Sequence, residues 1–466
     1  MHKTTTVCGL VLTLAFVGTA TAQAAGPLAL HPANPHYLLF RGKPTVLVTS
    51  GEHYGAVLNL DFDYVPYLNE LQSRGMNLTR TFSGTYREVP GSFGITENTL
   101  APAGPARFAC PWARSSTPGA GDGGAKFDLG RWNPDYFRRL KDFLDQAGKR
   151  GIVVELGLFC TIYDEKLWAV NPMNAANNTA GVGKVSRKEV YALAEPGLTA
   201  VQDAFVKKVA EELKDCDNVY YEICNEPYAG SVTRGWTRHV AQTIAAAEAH
   251  FPARHLIAEN IANRSAKIVD PPPEVSIFNF HYASPPEAVG TNYALGKALA
   301  DDETGFKGKG DFWYRREGWE FLLAGGAIYS NLDYSFTCSH PEGTARITTS
   351  PGGGGPDLRR QLGILKKFLD GFDLVRMKPR AELVRASQGV VRALVEEGKA
   401  YAIYVHGGTR TELTLPLPAG SYRAEWLNTK SGGIDRAEDF RHSGGPRTVA
   451  SPTYAEDVAL RLKRTD

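Results

Sequence analysis

Short apolar runs alternate with amphipathic stretches from about residue 45 to 372. The runs 45–50, 77–82, 152–159, 219–224, 255–259, 275–281, 297–301 and 327–334 are mostly rich in Val, Ile, Leu, Phe or Tyr and too short for typical helices, which predicts strands. Between them, 63–74, 134–150, 198–215, 236–250, 286–295, 313–325 and 356–369 carry helical spacing. Pro134 and Pro356 suit a first turn, and Gly75 and Gly151 stand where helices stop. Strands alternating with helices imply a parallel sheet with right-handed crossovers, and eight of them predict an α/β fold, a (β/α)8 TIM barrel. An open doubly wound sheet would carry a glycine fingerprint after its first strand. Here that strand runs into Ser50-Gly51-Glu52-His53-Tyr54-Gly55 instead.

Two long insertions break the alternation. Residues 84–131 are dense in Gly, Pro, Ser and Ala and contain Trp112 and Arg114; residues 160–197 carry Tyr163, Trp168, Asn171 and an Asn-rich segment. Loops of this length are usually functional or disordered, and both follow strand ends, the face on which barrel enzymes build their sites. Beyond about residue 380 the texture changes to short strand-like runs at 390–395, 400–405, 411–415, 421–427 and 458–462, with turns at Gly407-Gly408, Ala419-Gly420 and Gly432-Gly433. The expected organisation is an export signal over 1–24, a barrel over 25–378 and a small antiparallel β-sandwich over 379–466. Pro351-Gly352-Gly353-Gly354-Gly355 reads as a flexible loop and lacks the ending of a phosphate loop.

Composition narrows the function. A basic start at Met1-His2-Lys3, an apolar run from Val7 to Gly18 and a small-x-small pattern at Ala20-Thr21-Ala22 or Ala22-Gln23-Ala24 predict secretion, periplasmic or extracellular. A net charge of +2, from 52 basic and 50 acidic residues, suggests neither a nucleic-acid nor a membrane partner. Six cysteines less Cys8 leave five without a C-x-x-C pair; one disulfide is plausible, with a structural role expected for all.

The stretch Asn218 to Tyr228 is the most informative. An apolar strand ends in Asn225-Glu226-Pro227, and Pro227 forbids continuing the ladder, so Glu226 stands at the C-terminal rim. A second strand end delivers Asp301, Asp302 and Glu303. Two carboxyl groups facing each other across a barrel are what glycoside hydrolysis requires, one as proton donor and one to attack the anomeric carbon or activate water. Glu303 and Asp302 compete for the second role. Glu52 and His53 end the first strand and fit either substrate binding or structural pairing. Trp112, Trp168 and Trp319 are candidates to stack sugar faces, although scattered aromatics more often belong to the core. Glu155, Asp164 and Glu165 are weaker acid candidates, and no His pair has ligand spacing, so no metal and no cofactor is expected.

On Asn225-Glu226-Pro227 and the strand-seven acids the chain resembles glycoside hydrolase clan A, in particular cellulase-like family-five and apiosidase-like bacterial proteins. The resemblance spans the barrel in strand order, and Phe40-Arg41-Gly42-Lys43-Pro44 and the terminal sandwich share it. It implies a retaining hydrolase acting on a poly- or oligosaccharide, with Glu226 as acid/base and Glu303 as nucleophile. It also implies that Asn225, His281, Tyr282 and Arg80 surround them. The usual strand-eight Trp platform is absent; that strand offers Tyr329, Asn331, Asp333 and Tyr334, of which Tyr334 joins the substrate-binding set. Glu226 is expected to be protonated, its pKa raised by burial and by the neighbouring carboxylate. The alternative is a non-catalytic carbohydrate-binding barrel.

Overall fold

The computed structural model describes residues 26–348 and 350–466, so the export segment lies outside the described residues. Each predicted run becomes a strand: β1 (Leu47–Gly51), β2 (Leu78–Phe82), β3 (Val153–Cys160), β4 (Val219–Asn225), β5 (Ile257–Asn263), β6 (Ile277–His281), β7 (Ala298–Thr304) and β8 (Ile328–Leu332). They pair in parallel and in chain order from β2 round to β8, and β8 pairs β1. At the seam between β1 and β2 the Asn77 amide donates to the Val48 carbonyl at 3.2 Å, and the Asn77 side chain adds two further bonds. Asn77 accepts from the Val48 amide at 2.9 Å and donates to the Val46 carbonyl at 2.9 Å.

Helices α1 (Tyr64–Ser73), α2 (Pro134–Lys149), α3 (Pro196–Leu213), α4 (Arg234–Ala247), α5 (Glu287–Asn292), α6 (Asp311–Leu323) and α7 (Pro356–Asp370) cover the strands. In α2, Asn133 caps the first turn by accepting from the Asp135 amide, Pro134 gives up an N–H that would be idle there, and Tyr136, Phe137, Leu140, Phe143, Leu144 and Ala147 form the buried stripe. Burying each large side chain of that stripe stabilises the fold by about 1.5–3 kcal/mol.

Three parts of the fold were not in the sequence pattern. A small antiparallel sheet, Ala29–Leu30 with Leu38–Phe40 and Lys43–Thr45, lies under the barrel, and its Leu38 joins Leu28, Leu47, Leu78, Val153, Ile277 and Ile328 in one apolar floor. The first insertion forms a ribbon, Trp112–Pro118 against Ala125–Trp132. The glycine patch is not a free loop. Gly352, Gly353 and Gly355 are buried, the Gly355 amide donates to both Asp333 oxygens at 2.9 and 3.0 Å, and Gly354, at φ 126°, leaves no room for a side chain beside Asp333.

The C-terminal region is a sandwich. Lys378–Pro379, β9 (Val390–Glu396), β10 (Ala400–His406), β12 (Gly420–Leu427), β13 (Ile434–His442) and β15 (Asp457–Arg464) make a six-stranded antiparallel sheet; Arg385–Ala386, β11 (Glu412–Leu417) and β14 (Gly445–Ala450) make the second sheet. Trp426 lies in the core between them, so it offers no glycan platform. The sandwich docks on α6, where Trp319 stacks on Tyr404 at 5.3 Å and Arg315 pairs with Asp457 at 2.9 Å. All five described cysteines are free, which removes the expected disulfide. Among the described residues no helix is long and apolar enough to cross a membrane.

Candidate active site

The C-terminal ends of the strands open into a cavity of about 720 Å³ lined by Glu226 and Glu303. Glu226 follows β4 with φ 46° and ψ 53°, a left-handed conformation costing a residue with a side chain about 1–3 kcal/mol. Its Oε2 accepts from the Tyr163 hydroxyl at 2.7 Å, and its Oε1 lies 3.2 Å from His281 Nδ1. Glu303, on β7, accepts from Tyr282 at 2.6 Å on Oε1, and from Tyr54 at 2.9 Å and Arg80 at 3.3 Å on Oε2. Such a set of donors suits an ionised carboxylate. Tyr54 and Tyr282 are themselves left-handed, at φ 60° and 56°, so the chain turns sharply at three strand ends to bring these groups together.

A bulge sends Asp302 and Glu303 to different places. Phe280 pairs with Asp301 and His281 pairs with Glu303, so Asp302 is skipped in the ladder. Asp301 accepts from the Ala283 amide away from the cavity, Asp302 points into the barrel, and Glu303 is re-aimed above it into the cavity. Without the bulge, strict alternation would send Glu303 to the face of Asp301.

Beneath the carboxylates lies a buried polar layer. Arg80 Nη2 donates to Glu222 at 2.6 Å and to Asn225 Oδ1 at 2.7 Å, and the guanidinium stands 3.6 Å from both Glu155 and Asp302. Asn279 bridges Glu155 at 2.9 Å and Asp302 at 2.7 Å. Burial pushes Glu222 up to about 7 against the pull of Arg80, and lifts Asp302 well above the usual carboxylate range. Burial would lower His281, yet Glu303, Asp302 and Glu226 around it raise it to about 10. Burial likewise raises Glu226, but the hydrogen bond and charge of His281, with Tyr163 and Arg80, outweigh it and hold Glu226 below its ordinary value. The direction for Glu226 is thus the opposite of the raised value expected from burial and a neighbouring carboxylate.

Glu226, His281 and Glu303 each offer an atom within 4.8 Å of the others, as do Glu222, His281 and Asp302 below. Either trio could ligate a cation by type. Arg80 already supplies positive charge to Glu222, Asp302 and Glu303.

The remaining candidates divide. Asn225 is held by Arg80 and donates to Tyr163 at 2.9 Å, its side chain at the cavity wall. His53 lines the cavity with Glu88 3.6 Å away, and neither ring nitrogen has a hydrogen-bond partner. Tyr334 is buried behind Phe306 and His53. Four candidates lie away from the cavity. Glu52 turns away and accepts from the Gly55 and Ala56 amides and from Thr99, fixing the loop after β1. Trp112 is 1% exposed, packed between Trp132 and Phe205. Trp168 is buried in the barrel core, and Trp319 is taken up by the sandwich contact. Among the weaker acids, Asp164 caps the short helix Glu165–Ala169 and Glu165 pairs with Arg187.

Tyr54, Tyr163, Tyr228, Glu88, Phe93 and Phe306 also line or hold the site and were not among the candidates. Tyr54 and Tyr228 stand just past strand ends, a signal that could have found them. Phe93 and Phe306 carry none.

Residues 106–310 match the Cellulase family model, described as glycosyl hydrolase family 5. No curated protein matches the sequence. Among solved structures, one from Bacteroides vulgatus ATCC 8482 aligns with TM-score 0.67 and 15% identity over 95% of this chain and 83% of its own. A glycoside hydrolase family 5 protein of the same organism aligns with TM-score 0.64 and 14% identity over 94% of each chain. A third, a glycoside hydrolase, gives 0.63 and 14%, covering 94% of this chain and 97% of its own. At these identities the structural likeness speaks for the fold.

Proposed function

We propose that this chain, whose residues 106–310 match the cellulase model of glycosyl hydrolase family 5, is a glycoside hydrolase that cleaves a poly- or oligosaccharide with retention, by double displacement. Glu226 gives its proton to the departing glycosidic oxygen while ionised Glu303 attacks the anomeric carbon and forms a glycosyl ester. Glu226 then takes a proton from water, whose oxygen attacks the same carbon, breaks the ester and releases the sugar with Glu303 ionised again. Before the first step the proton held on His281 crosses the 3.2 Å contact to Glu226 Oε1 as the leaving oxygen enters. Tyr282, Tyr54 and Arg80 fix the attacking carboxylate and stabilise its charge.

The observation that carries this reading is the separation of the two acids. One oxygen of Glu226 lies within 4.8 Å of one oxygen of Glu303, a proximity in keeping with the roughly 5–5.5 Å between carboxyl groups that retention uses. The test is Glu303→Ala, expected to lower turnover of nitrophenyl glycosides and polysaccharides by about four orders of magnitude or more, with azide restoring turnover as a glycosyl azide. Activity near that of the wild type would remove Glu303 from the nucleophile's place. The reading includes export, with cleavage after residue 24, which N-terminal sequencing of the secreted chain would check.

A further inference from the structure

The walls of the catalytic cavity are unequal. On the side of β1 and β2 it is lined by Tyr54, Phe82, Glu88 and Leu100, all buried, with the His53 side chain 12% exposed beside them. On the side of β5 and β6 it is lined by Asn263, Arg264, Pro285 and Glu287, all exposed. The cavity is therefore blind at one end and open to solvent at the other.

The blind end is built by the first insertion. After β2 the chain leaves at Glu88 and returns at Leu100, where the Glu88 amide donates to the Leu100 carbonyl at 2.8 Å. The loop between them is fixed to the segment after β8, with Ser339 donating to Glu97 and the Thr96 amide to Ser350 at 3.4 Å. Its tip, Phe93, meets the Tyr163 ring beyond β3 at 5.2 Å. Arg87 braces the base, donating to the Pro102 carbonyl at 3.4 Å with Asp122 also 3.4 Å away. The wall thus runs from the segment after β8, past β1 and β2, to the one after β3.

The two carboxylates tell the ends apart. Tyr54, whose hydroxyl donates to Glu303, belongs to the blind end, and its ring lies 5.4 Å from that of His53. Burial alone would lower the pKa of His53, yet Glu88, Glu303 and Glu52 raise it, so the nucleophile stands within electrostatic reach of the back wall. Glu226 borders the other end: the Tyr228 hydroxyl lies 3.4 Å from its Oε1 and donates at 2.6 Å to Asn263 in the open side. The acid stands beside the departing sugar, so the sugar that is attacked occupies the blind end. That sugar supplies the anomeric carbon, and the chain beyond it would run towards its non-reducing end, into the wall.

The back of the blind end is polar. Each oxygen of Glu88 accepts one hydrogen bond, from Tyr86 and from Asn98, and keeps a lone pair free, and neither ring nitrogen of His53 has a partner. A sugar at the end of a chain carries a free hydroxyl where an internal sugar carries the next linkage. The free hydroxyl satisfies Glu88 or His53, whereas an internal sugar would drive its neighbour against the wall and leave both groups unpaired.

We propose that the enzyme works from the non-reducing end of its glycan and removes one sugar at a time, with Glu88 and His53 reading the hydroxyls of the terminal sugar. This rests on the retaining-glycosidase reading and adds a mode of attack to it, exo-cleavage, set by the loop between Glu88 and Leu100.

The experiment has a binding arm and a product arm. Cello-, manno- and xylopentaose, and the same chains capped by a benzyl ether on O-4 of the non-reducing terminal sugar, are titrated calorimetrically into Glu303→Gln. The best free-ended chain is expected to bind at least about tenfold more tightly than its capped form, and adding Glu88→Gln to weaken the free-ended chain about tenfold. With the wild-type enzyme, that chain labelled at its reducing end should shorten one sugar at a time with release of a monosaccharide, and its capped form should stay intact. Capped chains bound or cut as well as free ones, larger fragments among the first products, binding unchanged by Glu88→Gln, or no binding of any chain overturns the proposal. Discrimination against the cap without hydrolysis by the wild type overturns the glycosidase reading alone.

Discussion

At the floor of the barrel Leu78, Val153, Tyr220, Ile277 and Ala300 fill the interior, mostly with hydrocarbon; two residues further along the same strands Arg80, Glu155, Glu222, Asn279 and Asp302 fill it with charge and hydrogen bonds. The inward face is one continuous surface in both halves, so the difference is not one of burial. The floor is held by shape, and a lost methyl leaves its neighbours intact. The upper layer is held by one guanidinium among several acids, and losing it leaves every partner uncompensated in a medium that penalises charge. Catalytic barrels accept this second arrangement where a reaction needs fixed charges.

The contrast can be broken most forcefully at its hub. Arg80→Met should cost about 3–5 kcal/mol in urea unfolding, because Glu222, Asp302 and Glu155 lose their counter-charge, and should abolish turnover by releasing Glu303 and Asn225. A loss below about 1 kcal/mol would show that the acids are neutral without it. Next, His281→Asn sharpens the role of the shared proton. A folded-state pKa of about 10, against 6.5 unperturbed, means that the native state holds the proton more tightly. Its stabilisation is complete below about 6.5 and is lost as pH rises through about 10. The variant should lack that slope in pH-dependent unfolding, and the alkaline limb of its kcat/KM profile should move to lower pH. An unmoved limb would place the proton elsewhere. The smallest effect belongs to the floor, where Ile277→Val should cost about 1 kcal/mol by denaturant titration and leave kcat/KM within about twofold.

The barrel was legible because its strands are short apolar runs and its helices carry stripes, and all eight runs became strands within a few residues at each end. Glu226 was legible because a proline closes its strand. The separate placement of Asp302 and Glu303 was not, since it turns on a bulge, and period-two alternation assumes there is none. Aromatic platforms were illegible for a related reason. Trp112 and Trp168 sit in insertions that looked like open loops, but the ribbon and the asparagine-bonded turns, where Asn177 holds the Ala169 and Asn171 carbonyls, fold both indoles inward. What reaches the cavity instead is fixed by single left-handed residues at Phe93 and Phe306, and no propensity scale marks a phenylalanine for that conformation.

The small sheet under the floor bears on how the chain assembles. Its ties reach far along the sequence: the Leu28 amide to the Asp217 carbonyl, Arg41 to Asp217, and Asn34 to the Val375 carbonyl. The segment that seals the barrel is thus among the first described residues to be synthesised and depends on partners made much later. Loop closure over such spans is slow, so it docks only once the cylinder exists. Until then Leu28, Leu38 and the open floor expose greasy surface to each other and to neighbouring chains, a window in which a holding chaperone or a slow tempo of synthesis would decide the yield of folded enzyme.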